Sequence, residues 1–460
     1  MKKKLSIVLA FFLLCFIVLL IGVSGDAPLS PSVEKVLSFQ LQAPPPEDNI
    51  YVGLAGLARI EDGDVVAAGE KFLKGGYRPD SEPRHKFDTS YRNPCFAPRA
   101  SENHSDSART DGPANCLDQL AAEARAINEA VEKNAAFIER YRAVQKMPLY
   151  VNTTTGVEDP VPMYQPVIEY TRLVGAKALL DIKQGNVSAG LEALDAELGF
   201  FKKMCGGEHV GVIDLMIAVA GLQINMNGLS KIIEDPQIDL AGHENLLRQM
   251  LNLNLNGGRI MAAVIESEKR LLLPSLNKAA EAWIGEEMSL KNRLKFKFFK
   301  FLYKKNMTLN RVAAKTDEVI WRWEAAPMLG FPEFIAVYAE TEIEELTVKK
   351  LYDRYGLFFF KNYAGEVLAN IAQPLYTRYP ARINDAVVYS HLLRAALELR
   401  LMDDRPDDPS RALAGLGTET WNPYTGQPFN WDRERKTIWG EKANPSAGAD
   451  PLSRRMEIRI

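Results

Sequence analysis

Residues 162–204, PMYQPVIEYTRLVGAKALLDIKQGNVSAGLEALDAELGFFKKM, form two apolar-rich segments of helical length on either side of Gly185. Glycine often follows the last residue of a helix, because it adopts the left-handed conformation without steric cost. We therefore predict helices over 162–183 and 187–204 that pack antiparallel as an αα-hairpin. The hairpin indicates a chain built of packed helices.

Apolar residues at helical spacing continue along most of the chain. The clearest such stretches are 117–145, 210–233 and 382–402. After residue 403 the composition changes, and a tight turn over 421–431 precedes short strands at 437–439 and 456–460. We expect a mainly α fold: a membrane-anchored multi-helix bundle of αα-hairpins, partly solenoid-like, with a small C-terminal β element.

The N-terminal segment predicts the location of the protein. Three lysines at positions 2–4 precede an uncharged apolar run, Leu5–Gly25. At about 1.5 Å per residue this run reaches roughly 30 Å, the thickness of the hydrocarbon core of a bilayer. We predict an uncleaved signal anchor in a bacterial inner membrane, single-pass, with the bulk of the chain in the periplasm. The alternative is a signal peptide cleaved near Gly25, which releases the chain into the periplasm.

The chain divides by composition into five predicted parts. These are a signal anchor (1–25), a Pro-rich tether (26–48), a loop-rich, disulfide-stapled cover (49–115), a helical domain (116–403), and a linker with a β-hairpin tail (404–460). The 460 residues with 47% hydrophobic content are enough for a large core. The net charge of −3 gives no electrostatic argument for nucleic acid as a partner.

The cysteines are informative by position. Cys95 and Cys116 flank a polar stretch, and an exported chain meets an oxidising compartment. We therefore predict a Cys95–Cys116 disulfide, with Cys205 left as a free thiol. We expect no metal site and no cofactor, because the five histidines lack ligand spacing and no nucleotide-binding motif occurs.

Two local clusters are candidates for chemistry. Cys205 and His209 lie in one turn, where an imidazole beside a thiol can activate a nucleophile. Glu266, followed by Ser267 within a helical stretch, is similar to the catalytic Glu-Ser of helical lytic transglycosylases, in which a carboxylic acid protonates the glycosidic oxygen. The Gly-Leu-Met-Gln and Ala-Tyr-Asn segments of that family are missing. The competing interpretations are a helix stop for the first cluster and a solvated helix face for the second.

Two further features concern membrane contact and burial. Basic and aromatic residues alternate over 291–315, which suits a helix lying on an anionic membrane surface or a core helix with outward lysines. The residues that we assign to the membrane surface are Lys295, Lys297, Phe298, Phe301 and Lys304. Asp214 lies in the apolar stretch 210–233, and we expect an arginine or lysine beside it, because an unpaired buried carboxylate is costly.

Short motifs are spread along the chain. They are NIYVGLAGL at 49–57, Cys95 with Cys116-Leu117, Gly185-Asn186, QPLY at 373–376 with Arg382, and Asn-Pro-x-x-Gly-x-Pro-x-x-Trp at 422–431. In these motifs the chain resembles a loose group of uncharacterised, signal-anchored, exported bacterial helical proteins. The hairpin around Gly185 also resembles one tetratricopeptide-type repeat of about thirty-four residues, without a second copy. These resemblances imply a compartment and a helical fold, and they imply no activity.

The function that follows is expected to be a binding one. We expect binding rather than catalysis: a membrane-anchored periplasmic helical protein that binds a protein partner or an envelope component. The alternative is a cell-envelope hydrolase that cleaves peptidoglycan-type glycosidic bonds with a helix carboxylate such as Glu266. The inner membrane, through residues 5–25, is the expected second partner.

Overall fold

The structure is a computed structural model. It describes residues 25–57, 63–75, 95, 116–282, 303–325, 362, 365–366, 369, 379–402, 408–441 and 455–459. The predicted anchor up to residue 24, most of the predicted cover, and the membrane-surface candidates Lys295, Lys297, Phe298 and Phe301 lie outside these residues.

The described chain is mainly helical. Its helices are α1 Pro31–Leu37, α2 Ile50–Leu57, α3 Val65–Gly75, α4 Cys116–Ala122, α5 Ala124–Lys133, α6 Ala135–Lys146, α7 Gln165–Lys183, α8 Val187–Cys205, α9 Val212–Glu234, α10 Glu244–Met250, α11 Gly257–Ala282, α12 Lys305–Ala325, α13 Tyr379–Arg400 and α14 Ser410–Gly415. The strands are β1 Asn430–Asp432, β2 Thr437–Glu441 and β3 Arg455–Arg459. The mainly α prediction is confirmed.

The predicted αα-hairpin is α7 and α8, joined by a turn in which Gly185 has φ +92°. The Asn186 N–H donates to the Asp181 carbonyl at 2.8 Å, so the turn satisfies a carbonyl at the end of α7. Beyond the turn, a Cβ on Gly190 would overlap the Ile182 side chain and lie 2.5 Å from the Ala178 carbonyl oxygen. The two helices therefore meet closely, as the sequence predicts.

Helices α4, α5 and α6 replace the single helix predicted over 117–145. The break before α6 falls at Asn134, whose side-chain amide donates to the Ala130 carbonyl at 2.9 Å. A side chain that bonds to nearby backbone competes with the helical ladder, which explains the interruption. The three short helices lie against α7 and α8, with Leu117, Leu120, Ile127, Phe137, Tyr141 and Val144 buried in the main core.

Helix α9 is the central helix of the main core and contacts α7, α8 and α13. Its C-terminal carbonyls are satisfied by Arg400 of α13, which donates to Ile233 at 2.8 Å. Among the described residues, α9 is the helix long and apolar enough to cross a membrane, and 56% of its apolar window is buried. Length and composition alone are weak evidence for a single-pass membrane protein. Its packing among three other helices is that of the core helix predicted from the sequence.

A second apolar cluster joins α1 to α11 and α12. Val33 and Val36 of α1 are buried there with Leu273 of α11 and Leu309 of α12. The prediction of a Pro-rich tether over 26–48 is therefore wrong in part, because residues 31–37 form a packed helix. Pro31 opens this helix, at a position where the missing N–H of proline costs nothing.

The C-terminal residues form a three-stranded antiparallel sheet in the order β1-β2-β3. In its register, Ile438 faces Trp431 on one side and Ile458 on the other. Ile438 and Ile458 are buried in the main core, where the sheet packs against α13. The small β element that the sequence predicts is confirmed, and its apolar face belongs to the same core as the helices.

Cys95 and Cys116 lie at disulfide-bonding distance, with their Cα atoms 5.4 Å apart. The predicted pairing is confirmed, and Cys205 is the free, buried cysteine among the described residues. Cys116 is the first residue of α4, so the bond attaches the preceding segment to the edge of the main core.

Helices α2 and α3 cross at two glycines. A Cβ on Gly69 would overlap the carbonyl oxygen of Val52, and a Cβ on Gly56 would overlap that of Val65. The backbones therefore touch at this crossing, and nothing larger than glycine fits without a shift. Asn49 directly precedes α2, and its side-chain oxygen accepts the Tyr51 N–H at 3.1 Å, which caps the N-terminus of the helix.

We expect Gly69→Ala to lower the free energy of unfolding by about 3 kcal/mol, because the added methyl meets backbone that cannot move alone. Gly199→Ala, within α8, is the matched control. No atom lies within 4 Å of a Cβ at Gly199, so alanine there stabilises the helix by about 0.5–1 kcal/mol. Urea unfolding of both variants measures the two effects, and equal effects would contradict the close crossing.

Loss of the Cys95–Cys116 bond is expected to lower the free energy of unfolding by about 3 kcal/mol, because the bond restricts a loop of the unfolded chain. Thermal unfolding with and without a reductant measures the change. The double variant Cys95→Ser/Cys116→Ser serves as the control and should unfold at the same temperature in both conditions. A wild-type melting temperature that does not change with the reductant would contradict the presence of the bond.

Candidate functional site: an open groove beside buried acids

A shallow groove runs along the outward face of α9 and reaches the first turn of α13. Its lining residues are Leu215, Met216, Val219, Ala220, Gln223 and Arg382. Near its N-terminal end, Ile213 is 56% exposed and Met216 is 36% exposed. Exposed apolar side chains grouped beside a concave surface are typical of a binding site.

The opposite face of α9 fixes the position of this groove. Leu222, Met226 and Leu229 are fully buried in the main core. Gly221 lies directly against the ring of Phe201 in α8, where a Cβ would overlap that ring. Because the inward face packs this tightly, the outward residues Ile213, Met216 and Gln223 are held in a fixed row.

Asp214 holds the N-terminus of α9. One carboxylate oxygen accepts the Gly211 N–H at 2.9 Å and the Asn152 amide at 2.7 Å, and the other accepts the Tyr164 hydroxyl. Burial raises the pKa of Asp214, and these donors oppose the shift by stabilising the charge. The predicted arginine or lysine partner of Asp214 is wrong for the described residues, because an amide, a hydroxyl and a backbone N–H satisfy this carboxylate. The positive end of the helix dipole also stabilises its negative charge.

Two more tyrosines surround this acid. The Tyr150 and Tyr164 hydroxyls are 3.3 Å apart, and the Tyr51 ring meets the Tyr150 ring edge-on with centroids 6.0 Å apart. Burial and the negative charge of Asp214 raise the pKa of Tyr150 and Tyr164 well above the usual value. These hydroxyls stay protonated, so they remain hydrogen-bond donors to the acid.

Glu268 of α11 is a second carboxylate at the same helix terminus. It accepts the Val212 N–H at 2.8 Å, and burial raises its pKa, with a further contribution from the charge of Asp214. A Cβ on Gly211 would lie 3.3 Å from an oxygen of Asp214 and from one of Glu268. The two acids therefore bracket the first residues of α9 and tie α9 to α11. Sequence reasoning missed Glu268, because its partner lies 56 positions away.

Glu266, the proposed general acid, lies in an ion-pair network. Its oxygens are 2.9 Å from the Lys269 ammonium and 3.3 Å from the Arg270 guanidinium. Lys269 also pairs with Asp317 of α12 at 2.6 Å. The arrangement ties α11 to α12 and gives the hydrolase hypothesis no support, because a general acid has to reach a substrate oxygen and Glu266 reaches two cations.

Cys205 and His209 do not form a dyad in the described residues. Cys205 is 3% exposed, and burial raises the pKa of its thiol to about 12, which disfavours the reactive thiolate. The His209 ring contacts the Arg270 guanidinium at 2.9 Å and the Phe39 ring with centroids 5.3 Å apart. Burial, followed by the charge of Arg270, lowers the pKa of His209. The two side chains have separate structural roles.

Lys304, the one membrane-surface candidate that the structure describes, is 8% exposed. Its N–H donates to the Asn362 side chain at 2.7 Å, at the start of α12. This burial does not fit a role for Lys304 at a membrane surface. Within the described part of the chain, no group of three or more His, Cys, Asp or Glu side chains is arranged to hold a metal ion.

Another buried acid, Glu197 of α8, joins three helices of the core. It accepts from Gln145 of α6 at 2.6 Å, from Thr171 of α7 at 3.2 Å and from Tyr141 of α6 at 3.4 Å. Glu197 is 1% exposed, and burial raises its pKa to about 7, against the effect of these donors. The sequence gives no signal for it, because the surrounding pattern is that of an ordinary amphipathic helix.

No family model, curated protein or solved structure matches this chain. The resemblance to signal-anchored exported helical proteins therefore stays a prediction from the sequence motifs.

We expect the stability of the protein to fall as the pH rises from about 4.5 to about 7, because Glu197 keeps in the folded state a proton that the unfolded chain loses. Glu197→Gln removes this dependence, so its stability relative to wild type should grow by about 3 kcal/mol across that range. Denaturant titrations at several pH values measure it. Glu192→Gln, at an exposed position of the same helix, should follow wild type.

Proposed function

We propose that the protein is a membrane-anchored, exported helical scaffold that binds a partner protein through the groove along α9. The carrying observation is the exposure of Met216, which lines the groove and is 36% exposed, and of Ile213, which lies three residues before it on α9 and is 56% exposed. Burying two such side chains in a partner contributes about 25 cal/mol for each Å² of apolar surface removed from water. The exposure of these two apolar side chains in an otherwise well-packed fold favours the proposal that a partner covers them.

The chemistry of the groove favours an amphipathic helix as the bound element. From Leu215 to Gln223 the groove follows α9 for about 12 Å, which matches about two turns of a partner helix. The floor is apolar, and Gln223 and Arg382 supply polar groups at the edge. Such a site fits a helix with apolar residues at i, i+3, i+4 and i+7.

Two observations support export and anchoring as part of this proposal. The apolar run Leu5–Gly25 is long enough to span a bilayer, and three consecutive lysines directly precede it. The Cys95–Cys116 pair lies at bonding distance, and such bonds persist in oxidising compartments such as the periplasm. No observation favours the alternative hydrolase function, since Glu266 lies between two cations.

The test begins with photo-crosslinking amino acids placed at Ile213 and Met216 in cells that produce the full chain. Both positions should capture the same partner, whereas Asn227, exposed on α9 beyond the groove residues, should not. A helical peptide from the captured partner is then titrated onto the purified protein. Different products at the two groove positions, or the same product at Asn227, would count against the groove.

Met216→Glu is expected to weaken binding of that peptide at least tenfold, about 1.4 kcal/mol, because a charge replaces an apolar contact. Met216→Leu is the matched control and should bind within about threefold of wild type, since it keeps the apolar volume. Calorimetry measures both. Equal affinity for the two variants would contradict the proposal, provided that their melting temperatures agree.

A further inference from the structure

Phe39 connects the N-terminal segment to α11 and to the turn before α9. It lies two residues beyond α1, and the Arg270 guanidinium of α11 lies over its ring, 4.2 Å from the centroid. The His209 ring lies beside it, tilted by 59°, with the two centroids 5.3 Å apart. We call Phe39, His209 and Arg270 the stack. A cation over an aromatic face is attracted to it, so Arg270 holds Phe39 by charge as well as by packing.

The contact between His209 and Arg270 requires a neutral imidazole. Nδ1 of His209 lies 2.9 Å from Nη1 of Arg270. A guanidinium carries only N–H donors, so Nδ1 has to accept and the ring proton has to be on Nε2. A second proton on the ring would occupy Nδ1 and place two cations at hydrogen-bonding distance. The stack is therefore compatible with one protonation state of His209.

The charged groups around His209 come from its own turn and from α11. Arg270 of α11 opposes a positive charge on the ring, whereas Glu266 of α11 and Glu208 of the turn favour one, and Phe39 is uncharged. Burial and the charge of Arg270 outweigh the two acids and keep the pKa of His209 below its ordinary value of 6.5. The folded chain thus binds this proton less readily than the unfolded chain. The stack is stable above about pH 6.5 and weakens as the pH falls below that value.

The turn that carries His209 is fixed on both sides of that residue. The Glu208 N–H donates to the Tyr150 carbonyl at 2.9 Å, and the Glu208 carbonyl accepts the Asn152 N–H at 3.1 Å. On the other side, Val210 is 3% exposed and belongs to the main core. His209 itself has φ +54°, a left-handed conformation that these fixed neighbours maintain. A repulsion at His209 therefore displaces its partners rather than the turn.

Arg270 and Phe39 have room to move away from His209. An oxygen of Glu266 lies 3.3 Å from Nη2 of Arg270, so the guanidinium can withdraw toward that acid and stay paired. Phe39 is 41% exposed, and residues 40–45 after it form neither helix nor strand. The beginning of the segment is held separately, because Asp26 caps α12 by accepting two backbone N–H groups at 2.9 and 3.1 Å. Helix α1 also packs on α11 and α12.

We propose that His209 is an acid-operated latch: when its ring takes up a second proton, Arg270 withdraws, and Phe39 and residues 40–45 leave the surface of α11. The movement is confined to the residues between α1 and the helical turn Pro46–Asp48, because both of these elements stay in place. Acid thereby exposes an aromatic ring that neutral pH holds against α11. The inference goes beyond the proposed function, since none of the three residues of the stack lines the groove on α9.

The test places para-trifluoromethyl-phenylalanine at position 39 of the full chain in detergent micelles. Fluorine NMR spectra at about pH 7.5 and about pH 5.5 then distinguish a ring packed in the stack from one in solvent. We expect the fraction of the solvent-exposed signal to rise at least fivefold on acidification, because the protonated fraction of a histidine increases strongly over this range. An unchanged spectrum would overturn the inference.

Two variants of His209 assign the response to this residue. His209→Asn places an amide oxygen near the position of Nδ1, carries no titratable charge and tolerates the positive φ, so it should keep the stacked signal at both pH values. His209→Lys is charged at both pH values and should show the exposed signal at both. His243→Asn, at the partly exposed residue before α10, is the matched control and should respond like wild type.

Three results with these variants would overturn the latch. They are a wild-type response in His209→Asn, a stacked signal in His209→Lys at either pH, and loss of the response in His243→Asn. Equal melting temperatures of the variants at the higher pH establish that the signals report on position 39 rather than on unfolding.

Discussion

The hydrogen bonds that close the N-terminus of α9 position much of the rest of the molecule. A helix of this apolar content needs partners on most of its surface, and its first turn leaves N–H groups without partners inside the helix. Asp214 and Glu268 accept those of Gly211 and Val212, and they bring in Asn152 and Tyr164. The buried acids thereby join the turn before α9, the segment before α7 and the middle of α11. The groove lies where this arrangement leaves α9 uncovered.

The parts of the fold that sequence predicted well depend on local or strongly constrained physics. The αα-hairpin follows from Gly185, because few other residues adopt its positive φ. The prediction of the Cys95–Cys116 pair used the polar stretch between the two cysteines and the small number of other cysteines in the chain. The helical segments follow from apolar spacing. The observed helix bounds differ from the predicted ones where a side chain such as Asn134 bonds to the backbone and interrupts the helix.

The candidate site was less accessible to sequence reasoning, because its contacts are long-range. Asp214 was recognised as a buried acid, but an arginine or lysine partner was expected where the protein uses a tyrosine, an amide and backbone N–H groups. Glu266 stood out for the serine beside it, whereas Glu268, two residues later, makes the structural contact with α9. Prolines at 28 and 31 indicated an irregular tether, yet Pro31 opens a helix whose stability comes from residues near 310. No pattern within the N-terminal segment contains that information.

Residues 26–37, which contact α11 and α12 through Asp26, Val33 and Val36, also determine where the protein can be shortened. Prolines 44–46 look like the natural boundary between an anchor and a body, and a fragment that begins after them would seem complete. Such a fragment lacks Asp26, Val33 and Val36, so it would expose the apolar side chains of Leu309 and Val312 and uncap α12. A shortened form that retains the native packing therefore has to keep Asp26 and the residues up to Leu37.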